Sequence, residues 1–431
     1  MLALLAMLQF APADSMPRVT LAEALQRATR LDPNYVRAAG NIGNAEWARR
    51  AALLTFVLPS VTVSADYTRY NQPTFNPGIS DFNDPNFLTR EIYAARVDAS
   101  YDLFLGGGKL GGLSAAGAGL ESARASGVQQ RYLAALQTER SYYSVLADVE
   151  LARIARDRVQ RAEQSLGVAR ARVVSGAAVR TDSLQLALEL SRARVNALVQ
   201  EAALRVSRLQ LGRRIGVGGP VDAVPLDSAA APELPLTLPD AIREAADQGP
   251  QYRIARANER QAAALLRVQR GQYLPRLTLS FSSATYDTSF FPSANTRSQV
   301  AVTASFPLWN DGRREIAYHQ AMVNRDVARA IREDFELAIQ HDVAEAYEAY
   351  ETSRAATALS ESGVAVAREN FRVQDTRYRA GAVAILDVIK AQNDLSDAEA
   401  ALVQSRYATR LALAALEAVL GRRLFDERES Q

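Results

Sequence analysis

The chain is an internal duplication, and nothing else in it constrains the fold as strongly. Residues 20–35 read "TLAEALQRATRLDPNY" and residues 237–252 read "TLPDAIREAADQGPQY". "LPSVTVSADYT" from Leu58 is echoed by "LPRLTLSFSSAT" from Leu274. "SYDLFLGGGKL" from Ser100 is echoed by "SFPLWNDGRRE" from Ser305, and "RVVSGAAVRTDSL" from Arg172 by "RYRAGAVAILDVI" from Arg377. Each half closes on Leu-Gly-Arg-Arg, at 211–214 and 420–423. The order implies a first repeat over 14–215, a Gly/Pro/Ala-rich linker over 216–236, a second repeat over 237–424 and a tail over 425–431. Residues 1–13 end in Ala11-Pro12-Ala13 after an apolar run, the pattern of a secretory leader.

Each half has one grammar: a helix, two strands, and a very long helical stretch broken once. The opening helix of the first half is expected from about Leu21 to Leu54, with Thr20 as N-cap and Glu23 completing a capping box. Strands are expected over 57–69, 91–104, 274–288 and 298–308. Along 93–103, Tyr93, Ala95, Val97, Ala99, Tyr101 and Leu103 share one face, while Arg96, Asp98, Ser100 and Asp102 share the other. A soluble sandwich would show the same alternation. Here, however, only two hairpins exist, separated by long helices, and four strands cannot cover their own edges.

Proline is absent from Lys109 to Val174 and from Arg313 to Ala380. Helix-forming residues dominate both stretches. Each is long enough for a helix of roughly 65 residues, about 100 Å at 1.5 Å per residue. The apolar positions are small, as at Ala134, Ala135, Ala147, Ala152 and Ala155, then Ala328, Ala338, Ala344, Ala346 and Ala349. Gly176 and Gly381 suit left-handed C-caps, after which a second helix folds back antiparallel. No other apolar run reaches the roughly 18 residues of a transmembrane helix, so any crossing of a membrane must use strands.

The glycines of "YDLFLGGGKLGGL" look like a phosphate loop at first sight. A Walker-type loop needs G-x-x-x-x-G-K-[ST], yet Leu110 follows Lys109 and Leu103 stands five before Gly108. Gly106, Gly107 and Gly108, like Asn310, Asp311 and Gly312, read better as strand-to-helix junctions. Cysteine is absent, which removes disulfides, thiolate metal sites and cysteine nucleophiles. His319 and His341 are too far apart to share a metal, and neither H-E-x-x-H nor G-x-S-x-G occurs. Fifty basic and 48 acidic residues leave no basic excess for nucleic acid. No enzyme activity and no cofactor are expected.

These duplicated landmarks, with "AQNDLSDAEAALVQSRY" from Ala391, resemble the TolC-type outer-membrane efflux proteins of Gram-negative bacteria. The resemblance covers nearly the whole chain after the leader. It implies an α+β membrane protein with a long antiparallel α-helical coiled-coil barrel and four β-strands per protomer, a homotrimer completing a 12-stranded β-barrel in outer-membrane lipid. It implies as partners a periplasmic adaptor and an inner-membrane pump, with substrates passing unchanged to the exterior. It places a periplasmic gate near Asp182, Tyr378, Asp387 and Lys390. The arginine that pairs with such a tyrosine in the prototype is Val383 here, so Arg180 or Arg379 would have to replace it. The turns Ser175-Gly176-Ala177 and Ala380-Gly381-Ala382 become the adaptor contacts. The alternative is a soluble periplasmic coiled-coil adaptor or scaffold.

Overall fold

The structure, a computed structural model, describes residues 16–77, 79–85, 87–226, 231–288 and 295–425. The expected leader lies outside the described residues, as does the tail beyond Phe425. The first repeat comprises β1 (Arg18–Val19), α1 (Leu21–Leu31), α2 (Pro33–Leu54), β2 (Ser60–Phe75), β3 (Leu88–Leu105), α3 (Gly108–Val174) and α4 (Arg180–Arg214). After β4 (Asp222–Ala223), the second comprises α5 (Leu238–Gln248), α6 (Pro250–Gly271), β5 (Arg276–Asp287), β6 (Asn295–Ser305), α7 (Arg313–Arg379) and α8 (Ile385–Leu420). Both long helices have 67 residues. The twin helices α1 and α5 start 217 positions apart, at 21 and 238, whereas α3 and α7 start 205 apart, at 108 and 313. The first hairpin, over 60–105, is longer than the second, over 276–305, and lowers the offset to 200; the longer junction before α7 brings it back to 205.

The opening helix is not continuous over Leu21–Leu54. It breaks at Asp32, which ends α1 and starts α2. Pro33 disfavours helical backbone at the residue before it, and proline itself suits the first helical position. The Asp32 carboxylate accepts from the amides of Asn34 (2.9 Å) and Tyr35 (3.1 Å), capping the new helix. Gly249-Pro250 makes the same break between α5 and α6. Thr20 does cap α1, accepting from the Glu23 amide at 3.3 Å, but the Glu23 carboxylate binds Arg27 instead of closing the box.

The chain divides into two compact units. One holds residues up to Gly40, Ala125–Tyr252 and those from Glu336 onward. Its core has three clusters. Around Tyr142, β1 pairs in parallel with β4, so the expected linker is tied into the fold. The Tyr142 hydroxyl donates to the carbonyl of Val224 at 2.7 Å, and burial pushes its pKa up to about 12. A second cluster joins Leu166, Leu186, Tyr378 and Val388; a third joins Ile339, Val343, Leu416 and Leu420. Of the small seam residues, Ala134, Ala152 and Ala155 are buried, but Ala349 is exposed and the large Ile339, Val343 and Tyr350 form the buried face of α7.

The two Leu-Gly-Arg-Arg motifs are not structural twins. In the second, Gly421 is the left-handed cap of α8 (φ +73°). In the first, Gly212 lies inside α4, and Gly216 beyond the helix takes the positive φ of +76°. The motifs lie 209 positions apart against 205 for the helices, a slip of about one helical turn. Their last arginines still do similar work. Arg214 binds Asp32 (3.2 Å), and Arg423 bridges the buried Glu139 (2.6 Å) and Glu417 (2.5 Å).

The other unit, Asn41–Arg124 with Arg253–Phe335, holds the sheet. All four strands form one antiparallel sheet in the order β2-β3-β5-β6, so the expected separate hairpins are joined through β3 and β5. β2 runs six residues beyond the expected end, and β6 stops at Ser305, short of Leu308. Gly106 and Gly107 carry the chain from β3 into α3 with φ of +58° and +82°. A Cβ on Gly106 would sit 2.1 Å from the carbonyl oxygen of Gly271, whereas one on Gly107 would meet nothing within 4 Å. Gly107→Ala should therefore cost only the left-handed backbone, about 1–2 kcal/mol. Gly106→Ala should cost clearly more, because two backbones must part. Thermal unfolding followed by circular dichroism checks this; equal shifts in midpoint would refute the crossing.

Candidate functional site

Two features stand out: the sheet with its junctions, and the paired helical turns. In the sheet, register aligns side chains across all four strands. Val61 faces Ala99, Ala99 faces Phe281, and Phe281 faces Val300. Directly paired residues share a face. One face thus carries Val61, Val63, Val97, Phe281, Val300 and Val302, and these are exposed, Val63 at 73% and Val300 at 69%. Tyr101 stands at one end of this face, and Tyr67 and Tyr93, with ring centroids 4.8 Å apart, stand at the other. From Tyr93 to Tyr101 is eight residues of strand, about 26 Å. The other face carries Thr62, Ser64, Asp66, Arg96, Asp98, Ser282, Gln299 and Arg297. The outer edges of β2 and β6 have no strand partner among the described residues.

At the junctions, cations act mechanically. Lys109 donates to the carbonyl of Thr55 just past α2 (2.7 Å) and lies 4.0 Å from the Tyr101 ring centroid. Arg314, its counterpart 205 positions on, lies 4.2 Å from the Tyr273 ring just past α6 and donates to the Pro307 carbonyl. Each cation locks a long helix to the end of the preceding helix, where partial negative charge accumulates. Asp311 (φ +58°) and Gly312 (φ +73°) make the second bend, and the Asn310 side chain accepts from the Arg314 amide.

At the turns, Gly176 and Gly381 both adopt φ of +78°. The amide of Ala177 reaches back to the Arg172 carbonyl and that of Ala382 to the Arg377 carbonyl, each at 2.8 Å. These are the hydrogen bonds of a Schellman cap. Val179 and Ala384 then start α4 and α8 without side-chain caps, and Asp182 and Asp387 lie in the first turns, where a carboxylate favours the positive helix end. Asp387 and Lys390 are exposed one turn apart. Tyr378 is 3% exposed. Burial, then the nearby Asp182 charge, raises the pKa of Tyr378, so the phenol stays protonated. Its partner is Arg172, whose guanidinium stacks 4.7 Å from the ring centroid. Arg172 also donates to the carbonyls of Tyr378 and Ala177 (3.2 Å for the latter). A polar layer lies further along the same helices. Arg158 binds Glu189 (2.5 Å) and Asn393 (2.7 Å), and Arg161 reaches Ser396 (3.3 Å) and Glu399 (3.4 Å).

The sequence profile of the outer membrane efflux proteins matches residues 24–217 and 241–422. The chain belongs to the outer membrane efflux protein family. The pyoverdine export outer membrane protein OpmQ of Pseudomonas aeruginosa is 30% identical over 356 residues, covering 77% of this chain and 70% of that one. Protein CyaE of Bordetella pertussis is 25% identical over 96% of this chain and 87% of its own. The crystal structure of the outer membrane protein VceC from Vibrio cholerae has the same fold, with a TM-score of 0.76 at 17% identity over 94% of this chain and 97% of that one.

As a member of this efflux family the chain is a TolC-type outer-membrane channel, and its helical part extends into the periplasm. An apolar, tyrosine-bounded face suits lipid, and a hydroxyl- and charge-bearing face suits water. Of the expected gate residues, the structure brings Asp182 near Tyr378. Neither expected substitute for the missing arginine binds Tyr378: Arg379 pairs with Asp375 (2.9 Å), and Arg180 is exposed. The arginine that contacts Tyr378 is Arg172. It precedes Gly176 by four residues but lies 206 positions from Tyr378, so no local pattern reveals the contact. Arg172→Ala should release both turns, and a lost charge-assisted bond of about 1.5 kcal/mol implies roughly tenfold faster amide exchange at Ala380–Ala382. Arg172→Lys should not restore protection, because stacking needs the planar guanidinium. Unchanged exchange in Arg172→Ala would contradict this.

Proposed function

We propose that three copies of the chain form one passive exit duct, closing a 12-stranded barrel in the outer membrane. The observation that carries this is the pair of unpartnered strand edges beside an exposed apolar face. In lipid every backbone polar group needs a partner, so an open sheet must close. The four strands alternate in direction, so β6 of one copy runs antiparallel to β2 of the next. The helices support the same reading. α4 exposes Leu184, Leu188, Val195, Leu198, Val206 and Leu209, in steps of one turn or two, an apolar stripe that a neighbouring copy would cover.

The turns around Gly176 and Gly381 are the proposed adaptor contacts, with an inner-membrane pump beyond the adaptor. The capped loops are exposed at Ser175, Ala177, Ala380 and Ala382, as docking requires. No chemistry on the cargo is involved, and cargo choice rests with the pump. Asp182, Tyr378, Asp387 and Lys390 form the proposed periplasmic mouth. Threefold repetition sets a ring of Asp387 beside a ring of Lys390, one helical turn apart. Opposite charges so placed offset each other's field on a passing ion. The wild-type channel should therefore show weak cation selectivity, and Lys390→Asp should strengthen it. Reversal potentials across planar bilayers under a salt gradient measure this. Identical values for the two proteins would remove these rings from the conduction path.

A further inference from the structure

The seam where the two repeats meet inside the chain is a template for a seam between copies. β2 and β5 start 216 positions apart, at 60 and 276. β3 and β6 lead into helices that start 205 apart, and their bends match at that spacing. Gly106 and Gly107 have φ of +58° and +82°; Asp311 and Gly312 have +58° and +73°. Together the two offsets carry the first hairpin onto the second. Ser60 faces Ser100, and the positions they map to, Arg276 and Ser305, face each other as well.

The same offsets apply to the pairing of β3 with β5. Val97 faces Ser283, and Asp98 faces Ser282. Adding 205 on one side and subtracting 216 on the other sets Val302 of β6 opposite Tyr67 of β2, and Thr303 opposite Asp66. Val302 and Tyr67 both lie on the apolar face of the sheet, Thr303 and Asp66 both on the polar face. A slip of one residue would set apolar against polar side chains. The bulge between Asp102 and Phe104 maps onto Pro307 and Trp309, and a bulge is a place where a strand tolerates proline.

The helices beyond the strands carry a second, independent sign. A Cβ on Gly111 of α3 would sit 2.7 Å from the Val268 side chain of α6, so α3 leaves room there for a bulky partner. The corresponding position of α7 is Ile316, which is 66% exposed. One further turn pair along, the buried Ala118 corresponds to Val323, which is 44% exposed. On the other side, Val268 corresponds to Ala51 at the 217 offset of the opening helices and to Ala52 at the 216 offset of the strands. Gly111 against Val268 within the chain thus becomes Ile316 against alanine between copies, with bulk and space exchanged.

We propose that β6 and α7 of one copy meet β2 and α2 of the next in this register, with Val302 opposite Tyr67 and Ile316 seated on Ala51 and Ala52. The register rests on the three-copy reading above and assigns the residues that join the copies.

The chain has no cysteine, so introduced pairs can be read without background. Two adjacent pairs are tested, Val302→Cys with Tyr67→Cys and Thr303→Cys with Asp66→Cys, because one of them is the closer, non-hydrogen-bonded kind. In membranes under mild oxidation the better of these should link neighbouring copies about tenfold faster or more than Val302→Cys with Ala65→Cys or with Arg69→Cys, whose partners stand about 7 Å off. Ile316→Ala, which removes bulk without weakening the helix, should lower the temperature at which the detergent-extracted assembly dissociates. The size of the assembly is measured on the same samples. A trimer in which the Ala65 or Arg69 pair links fastest, or in which no pair links, overturns the register and leaves the duct standing. A trimer whose dissociation Ile316→Ala does not move overturns the seating of Ile316. A monomeric wild-type protein overturns the three-copy reading itself.

Discussion

Everything in this chain is organised by two rows of backbone hydrogen-bonding groups that it cannot satisfy alone. β3 and β5 are paired on both sides, but among the described residues β2 and β6 are paired on one side only. In water such edges are a liability; in lipid they are untenable. The apolar face of the sheet suits lipid, and in the proposed three-copy duct the edges are met by copies of the same chain. Duplication fits this demand, because each repeat supplies one hairpin and the even strand count lets antiparallel pairing continue around a ring.

The same duplication explains why the junctions and turns look alike yet differ in chemistry. Lys109 and Arg314 occupy equivalent positions and use different groups for one task, locking a long helix to its predecessor. The turns at Gly176 and Gly381 share their backbone geometry, but only Tyr378 is clasped by an arginine, and that arginine comes from the other repeat. Shape is conserved between the halves where backbone demands it. Side-chain chemistry diverges where one repeat must recognise the other, as in the layer joining Arg158 to Glu189 and Asn393.

Much of the fold could be read from the residues. Period-two alternation located the strands, proline-free runs located the long helices, and Gly176 and Gly381 marked their ends. Pro33 and Pro250 announced the broken opening helices as well, but the helical pattern on either side masked the break. Other features depend on contacts far apart in sequence. The Gly106–Gly271 crossing, the parallel pairing of β1 with β4 and the Arg172–Tyr378 clasp leave no local pattern. Nor does the slip of one turn between the Leu-Gly-Arg-Arg motifs, because identical letters concealed different positions relative to the helix end.

Backbone amide exchange of the purified, detergent-embedded protein tests the central claim most directly. If copies of the chain close the sheet, amides of β2 and β6 should be protected as strongly as those of β3 and β5. If the inner strands are protected while the outward-directed amides of β2 and β6 exchange at the rate of open chain, the edges are free and the account fails.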